Sequence, residues 1–390
     1  MSFLEDLLAE IDREVETTVE LRHRLHENPE LSHQETRTGA AIAEALPVES
    51  VIVAKTGRLA RISGGSGPRI AVRAELDGLP VDERTGAEYA STNGAMHACG
   101  HDVHMAAVVA LARAAERLRT RLPAELIAIF QPSEEADPSG ARMLAEGELP
   151  GLGLDAAVGA HVHPALEWGS IALDPGAINA SADTVEVTVR GASTHGAYPH
   201  QGRDPILALS AIVVACHAQV GRTIDPLNPA VITFGTLEAG TQENVIPELA
   251  RAKATLRAFE PADREALIEL VDRVAVSVAA AHGCEASVEV RRGEPALDND
   301  PGMVEASAEL LDTAGLTRGR PWRSCGADDF SFFGSACPIA MAFVGIDGYP
   351  GFESRPLHHP ELLIPDEAVR QVARTLGAMF CGAVSNLERG

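Results

Sequence analysis

Ile70-Ala71-Val72-Arg73-Ala74-Glu75-Leu76-Asp77 is the stretch on which the reading of the fold turns. Residues 70–74 form a short, mostly apolar run of the kind that becomes a buried strand, and it ends abruptly in two carboxylates, Glu75 and Asp77. The same grammar recurs. Residues 126–130 run into Glu134 and Glu135, residues 156–160 into His161 and His163, and residues 339–344 into a glycine loop that leads to His358 and His359. Spaced apolar residues predict helices over 3–25, 35–46 and 103–118. Strand alternating with helix predicts an α/β layered sheet. Ligand sites in open α/β sheets lie outside the carboxyl ends of the strands, so all these polar groups are expected at one rim.

From 182 to 294 the pattern changes. Residues 184–189 alternate as a half-buried strand, followed by a helix (205–220), two strands (230–237 and 250–258), a helix (261–281) and a last strand (286–290). That order, β-α-β-β-α-β, is the split βαβ arrangement. A chain of 390 residues is too long for one typical core. The expected organisation is therefore an α/β domain of residues 1–181 and 295–390, a mixed sheet flanked by helices. Into it is inserted an α+β, ferredoxin-like domain of residues 182–294.

A formal net charge of −24 argues against nucleic acid and anionic membrane as partners. The six cysteines (Cys99, Cys216, Cys284, Cys325, Cys337 and Cys381) form no CxxC pair, and a reducing cytoplasm is the expected compartment. The acidic N-terminal stretch lacks the basic and apolar regions of a signal peptide. The longest uncharged apolar run, 206–221, is shorter than a bilayer span and contains His217 and Gln219; it reads as a buried helix.

Chemistry is densest in Met96-His97-Ala98-Cys99-Gly100-His101-Asp102-Val103-His104, just before an apolar helix. Cys99 and His101 are expected to project from a loop at that helix's N-terminus, where the helix dipole and a bound cation both favour a thiolate. Thiolate plus imidazole suits zinc or a similar divalent ion. The bland alternative is a buried cysteine beside a capping histidine. In Phe130-Gln131-Pro132-Ser133-Glu134-Glu135, two adjacent carboxylates repel and need a cation or proton to coexist at a buried rim. Successive side chains diverge, so Glu135 suits a ligand and Glu134 a general base; otherwise the pair is a solvated acidic loop. Spacing alone does not choose between His161 and His163, or between His358 and His359. Their convergence with Cys99, His101 and Glu135 supplies five groups, enough to hold two metal ions for assisted hydrolysis.

In the inserted domain, His195 lies on the glycine-rich loop Gly191-Ala192-Ser193-Thr194-His195-Gly196, from which it could donate a hydrogen bond to a developing oxyanion. Taken singly, its spacing favours a surface histidine on a plain turn. Asn244 and Arg257 could supply an amide and a guanidinium for a substrate carboxylate.

In these motifs, taken in order, the chain resembles the amidohydrolase branch of the M20 metallopeptidase family. The resemblance runs through Leu25–Ser32, Arg73–Pro80, Met96–His104, Gln131–Glu135, His161–Pro164, Gly191–Pro199, Asp204–Ile206, Asn244–Pro247, Ala327–Phe330 and Leu357–Pro360. It implies a catalytic α/β domain with a smaller lid that dimerises. The ligands it implies are Cys99, His101, Glu135, His161 and His358, holding two divalent ions (zinc, manganese, cobalt or nickel). Glu134 is then the base that activates a metal-bound water, and His195 polarises the scissile carbonyl, in some members across a dimer. The implied activity is hydrolysis of small N-acyl amino acids. A di- or carboxypeptidase of the same fold, a cysteine amidase using Cys99, and a non-catalytic binding protein are the competing expectations. Glu75 stands where Asp is common in the family, Asp328 where Glu is frequent, and His163 where the branch varies, which leaves substrate preference open.

Overall fold

The structure, a computed structural model, describes residues 2–389. The chain divides into two compact units. The first runs to Gly176 and takes in Asp298–Trp322 and the chain from Asp329 onward; the second is Ala177–Leu297 with Arg323–Asp328.

The first unit is built on an eight-stranded mixed sheet in the order Ser50–Val53, Gly57–Ile62, Glu125–Gln131, Arg69–Glu75, Ala156–Glu167, Ile339–Asp347, Ser170–Ala172, Thr317–Arg318. Its four central strands, Glu125–Gln131, Arg69–Glu75, Ala156–Glu167 and Ile339–Asp347, are mutually parallel. Register aligns their carboxyl ends: Glu75 stands opposite Gln131, and Phe343 opposite His161. These strands are apolar almost throughout because both faces are covered. The helices Phe3–Glu27, His101–Arg117 and Glu367–Arg389 share one core with the sheet, in which Leu7, Ile11, Val108, Val372 and Phe380 are fully buried. The first helix opens on a capping box: Glu5 N–H donates to Ser2 Oγ, and Ser2 N–H to Glu5 Oε2. A cap of this kind contributes about 1 kcal/mol.

Two features differ from the sequence expectation. Ala156–Glu167 continues well past its apolar start, so His161 and His163 lie within the strand; backbone pairing with Ile339–Asp347 carries it on after the hydrophobic signal stops. The helices Pro301–Leu311 and Glu367–Arg389, the strands Ser50–Val53 and Gly57–Ile62 at one edge of the sheet and the two short strands at the other had no predicted counterpart.

In the second unit the sheet order is Ala230–Ala239, Leu249–Ala258, Asp183–Arg190, Glu285–Arg292, all antiparallel. Val185, Val187, Val189, Ala250, Ala252 and Ala254 share a core with Leu209 and Ile212 of the helix Pro205–Thr223 and Leu267 and Leu270 of the helix Pro261–Ala281. The alternate residues carry charge, with Arg251 and Lys253 beside Glu186. Arg323–Asp328, expected in the catalytic domain, clusters with this second unit.

Pro205–Thr223 corrects the reading of a buried helix. Only Pro205, Ala208, Leu209, Ile212 and Cys216 are buried, whereas Leu207 is 57% and Val214 70% exposed. The helix is apolar on nearly every side, yet only one side has a sheet beneath it. By length and composition it is long and apolar enough to cross a membrane, and 22% of that window is buried.

Candidate metal centre

The rim assembles from loops that the backbone holds in uncommon conformations. Gly100 caps the helix His101–Arg117 at φ 88°, and a Cβ there would come within 2.6 Å of Val162 and 2.7 Å of Ile364. Only glycine fits, and the tight entry sets Cys99 just before the helix and His101 as its first residue. Ser133 and His358 also adopt positive φ, 55° and 67°. Non-glycine residues hold such values where the surroundings over-determine them. At Ser133 the cause is explicit: buried Glu35 accepts its N–H at 2.8 Å and its hydroxyl at 3.0 Å. His358 is pinned by its N–H to the Ala98 carbonyl at 2.8 Å.

Asp77 organises the next two residues. Its Oδ1 accepts the N–H of Glu134 at 3.1 Å, and its Oδ2 accepts the N–H of Glu135 at 3.0 Å and the Ser32 hydroxyl at 2.7 Å. Burial opposes the Asp77 carboxylate, but His101, the Glu135 N–H and Ser32 outweigh it and hold it at about 2. The Glu134-Glu135 turn is thus fixed by two buried carboxylates, Glu35 and Asp77, which present their oxygens to backbone donors.

Ligand atoms of Cys99, His101 and His161 lie within 4.8 Å of one another, as do those of Cys99, Glu135 and His358, and those of His101, Glu134 and Glu135. The donor set fits a cation atom by atom. His101 Nδ1 donates to the Asp77 carbonyl at 2.8 Å, so Nε2, buried without a hydrogen-bond partner, carries the lone pair. His161 Nδ1 donates to the Val162 carbonyl at 2.7 Å, leaving Nε2 as the lone-pair nitrogen 3.4 Å from Cys99 Sγ. Glu135 Oε1 is 3.2 Å from His358 Nε2 yet takes no aligned hydrogen bond. Converging lone pairs and carboxylates around the buried Cys99, His101 and His161 need a positive charge at their centre.

Without that charge, protons fill the gap. Burial pushes the Cys99 thiol up. Burial would lower His101, but the neighbouring Asp77 and Cys99 raise it well above the usual imidazole range. Cys99 and then Glu135 raise His358 to about 10. Burial and neighbouring His104 hold His161 well below the ordinary value.

The remaining candidates separate. His163 packs against Trp322 with ring centroids 4.7 Å apart and accepts the Ala165 N–H, and burial lowers it to about 4. His359 accepts the Glu361 N–H. In the second unit, Thr194–His195 pairs with Val245–Ile246, and the Asn244 carbonyl accepts the Gly196 N–H at 2.7 Å, so His195 and Asn244 are held side by side. His195 Nδ1 accepts the Ala197 N–H, which leaves Nε2–H as the outward donor. Arg257 is not with them. It lies eight residues along the strand from Leu249, about 27 Å at the rise of a β-strand.

Sequence reasoning missed Glu35 and His104. His104 is three residues after His101 on the same helix, a spacing that places both on one face. For Glu35 no local signal exists.

Comparison with known proteins gives a concordant picture. The model of peptidase family M20/M25/M40 matches residues 71–380. Over 355 residues the chain is 34% identical to N-acetyl-L-cysteine deacetylase of Bacillus subtilis (strain 168), covering 90% of this chain and 84% of that one. It is 32% identical over 360 residues to N-acetyldiaminopimelate deacetylase of Shouchella clausii (strain KSM-K16), covering 90% and 94%. The crystal structure of a Bacillus subtilis dinuclear metal binding peptidase from the M20 family superposes with a TM-score of 0.83 at 33% identity, covering 97% of this chain and 99% of that one.

Proposed function

We propose, from the premise that this chain belongs to peptidase family M20/M25/M40, that it hydrolyses the amide bond of small N-acyl amino acids with Glu134 as the proton carrier. The observation that carries this reading is the convergence of Cys99, His101, Glu134, Glu135, His161 and His358 at one rim, with imidazole lone pairs aimed inward.

Cys99, His101, Glu135, His161 and His358 are the residues that would hold two divalent ions, with zinc, manganese, cobalt and nickel all compatible with thiolate, imidazole and carboxylate donors. Such ions supply Lewis acidity and make water acidic enough to act as a nucleophile near neutral pH. Glu134, half-buried and beside His101 and Glu135, removes the proton from the attacking water and returns it to the departing amine nitrogen. The His195 Nε2–H donates to the oxyanion as the carbonyl becomes tetrahedral, and Asn244 binds the substrate carboxylate. Arg257 lies too far along its strand from His195 and Asn244 to share that carboxylate within one chain, so it has no part in this assignment. Cys99 is a ligand and not a nucleophile, because its sulfur belongs to two clusters of ligand atoms, one with His101 and His161 and one with Glu135 and His358. Six free thiols fit a reducing cytoplasm.

A second copy of the chain is the partner we assign to the bare face of the second unit. Ala230–Ala239 is an edge strand with one side unpaired, and Leu207, Val214 and Leu237 are exposed nearby in sequence and fold. Sedimentation of the intact chain should give twice its 41.0 kDa mass, and Val214→Glu should shift it toward monomer. A wild-type monomer at micromolar concentration removes this assignment.

The catalytic reading is tested by stripping the protein with a chelator and adding back each of the four metals. N-acetyl and N-benzoyl amino acids should be turned over only after metal is restored, and faster than dipeptides. Preference for dipeptides would make the protein a peptidase of the same fold. Full activity after complete metal removal would end the reading.

A further inference from the structure

Behind His161 a line of hydrogen bonds runs into the core. His104 donates from Nδ1 to Glu75 Oε2 at 2.8 Å, and its Nε2 receives the backbone N–H of Val162 at 3.1 Å. A backbone N–H can only donate, so Nε2 bears the lone pair and the proton sits on Nδ1. The carbonyl of the same Val162 accepts Nδ1–H of His161, which turns the lone-pair Nε2 of His161 toward Cys99. Glu75 is itself anchored. Arg73 donates to Glu75 Oε1, to Gln131 Oε1 at 3.0 Å and to Asp329 Oδ1 at 2.6 Å. The side chains of Arg73, Glu75, His104, Gln131 and Asp329 are each at most 2% exposed, so none can turn to water for an alternative partner.

We propose that Glu75 and His104 are positioning residues: Glu75 fixes the tautomer of His104, His104 fixes Val162, and Val162 aims His161. This rests on the reading of His161 as a metal ligand. Donor and acceptor polarity decides which residues this line of bonds tolerates. Glu75 offers two acceptors, one to Arg73 and one to His104. An amide in its place offers one acceptor and one donor. If the amide oxygen faces Arg73, the amide N–H faces His104 Nδ1 and drives the ring proton to Nε2, against the Val162 N–H. If the amide turns round, its N–H faces the guanidinium. Two buried donors oppose each other in either case. Glutamine at 104 does the reverse, because its amide can accept from Val162 and donate to Glu75 with no clash. Glu75, standing where Asp is common in the family the sequence resembles, has the additional methylene with which to bridge Arg73 and His104.

The test is a titration of the chelator-stripped, full-length protein with Co²⁺, followed by calorimetry and by the thiolate-to-cobalt absorption band. Thermal unfolding serves as the fold control. Wild type should take two ions. Glu75→Gln and His104→Ala should weaken one of the two by about 10–100-fold, the usual cost of losing an outer partner of a ligand, and leave the other unchanged. His104→Gln should restore most of that loss, which a merely space-filling role would not predict. A folded Glu75→Gln protein that binds both ions as wild type does overturns the proposal. So does a His104→Gln protein as weak as His104→Ala, and this pair decides the matter even where Glu75→Gln does not fold. Wild-type protein that takes up no ion overturns the metal reading and this proposal together, whereas normal wild-type uptake with unaffected variants overturns the proposal alone.

Discussion

Glu134→Ala should retain its divalent ions and lose turnover by about 10²–10⁴-fold, the range that a positioned general acid–base supplies. The expectation follows from how the turn is made. The backbone N–H groups of Glu134 and Glu135 are both held by Asp77, and Ser133 is held by Glu35, so truncating the Glu134 side chain leaves the turn and the Glu135 carboxylate in place. The five assigned ligands are untouched. What disappears is the carboxylate within 4.8 Å of both the His101 and Glu135 ligand atoms, the group that takes a proton from water and delivers it to nitrogen. Metal analysis and steady-state kinetics on the same preparation give the answer. Normal activity rules the scheme out. Loss of an ion together with activity reassigns Glu134 as a ligand, since the same geometry also allows a His101–Glu134–Glu135 triad.

The rim was legible in the sequence because each central strand carries an apolar run that gives way to polar residues on its carboxyl side, and parallel pairing brings those polar residues together. The inserted unit was legible for a similar reason: Val185, Val187 and Val189 alternate with Thr184, Glu186 and Thr188, a period that only a one-sided sheet explains. The devices that hold the site were not. Positive φ at Ser133 and His358 leaves no trace in residue type, because each is imposed by contacts from elsewhere in the chain. Glu35 reaches Ser133 across 98 residues and looks, in sequence, like the start of a helix. The helix Pro205–Thr223 misled in the opposite sense, since composition reports how apolar a helix is but not how many of its sides have something to pack against.

Cys99→Ser should lose metal and activity together. The sulfur is the atom common to two of the clusters, one with His101 and His161 and one with Glu135 and His358, so its removal damages both. A serine hydroxyl stays protonated where a thiolate can form, and its shorter bond draws the donor back from a position that the Gly100 turn fixes. The site then has one negative charge fewer and the same inward lone pairs on His101 and His161. The affinity lost should exceed the roughly 10–100-fold typical of an outer-shell partner. The pH dependence gives a second, independent signature. In the metal-free protein burial pushes the Cys99 thiol up, and Cys99 and Glu135 hold His358 at about 10, so both are protonated near neutral pH and must release protons as an ion enters. Wild-type affinity should therefore fall as pH is lowered from 10 toward 6. In Cys99→Ser the thiol proton is gone from the balance and the main cause of the raised His358 value goes with it, so whatever binding remains should depend on pH less steeply, by about one proton per chain or more. Calorimetry in buffers of different ionisation enthalpy counts those protons. A Cys99→Ser protein with its full complement of metal, the wild-type proton release and normal turnover would show that the sulfur is a bystander, and the centre would have to be rebuilt around His101, Glu134 and Glu135.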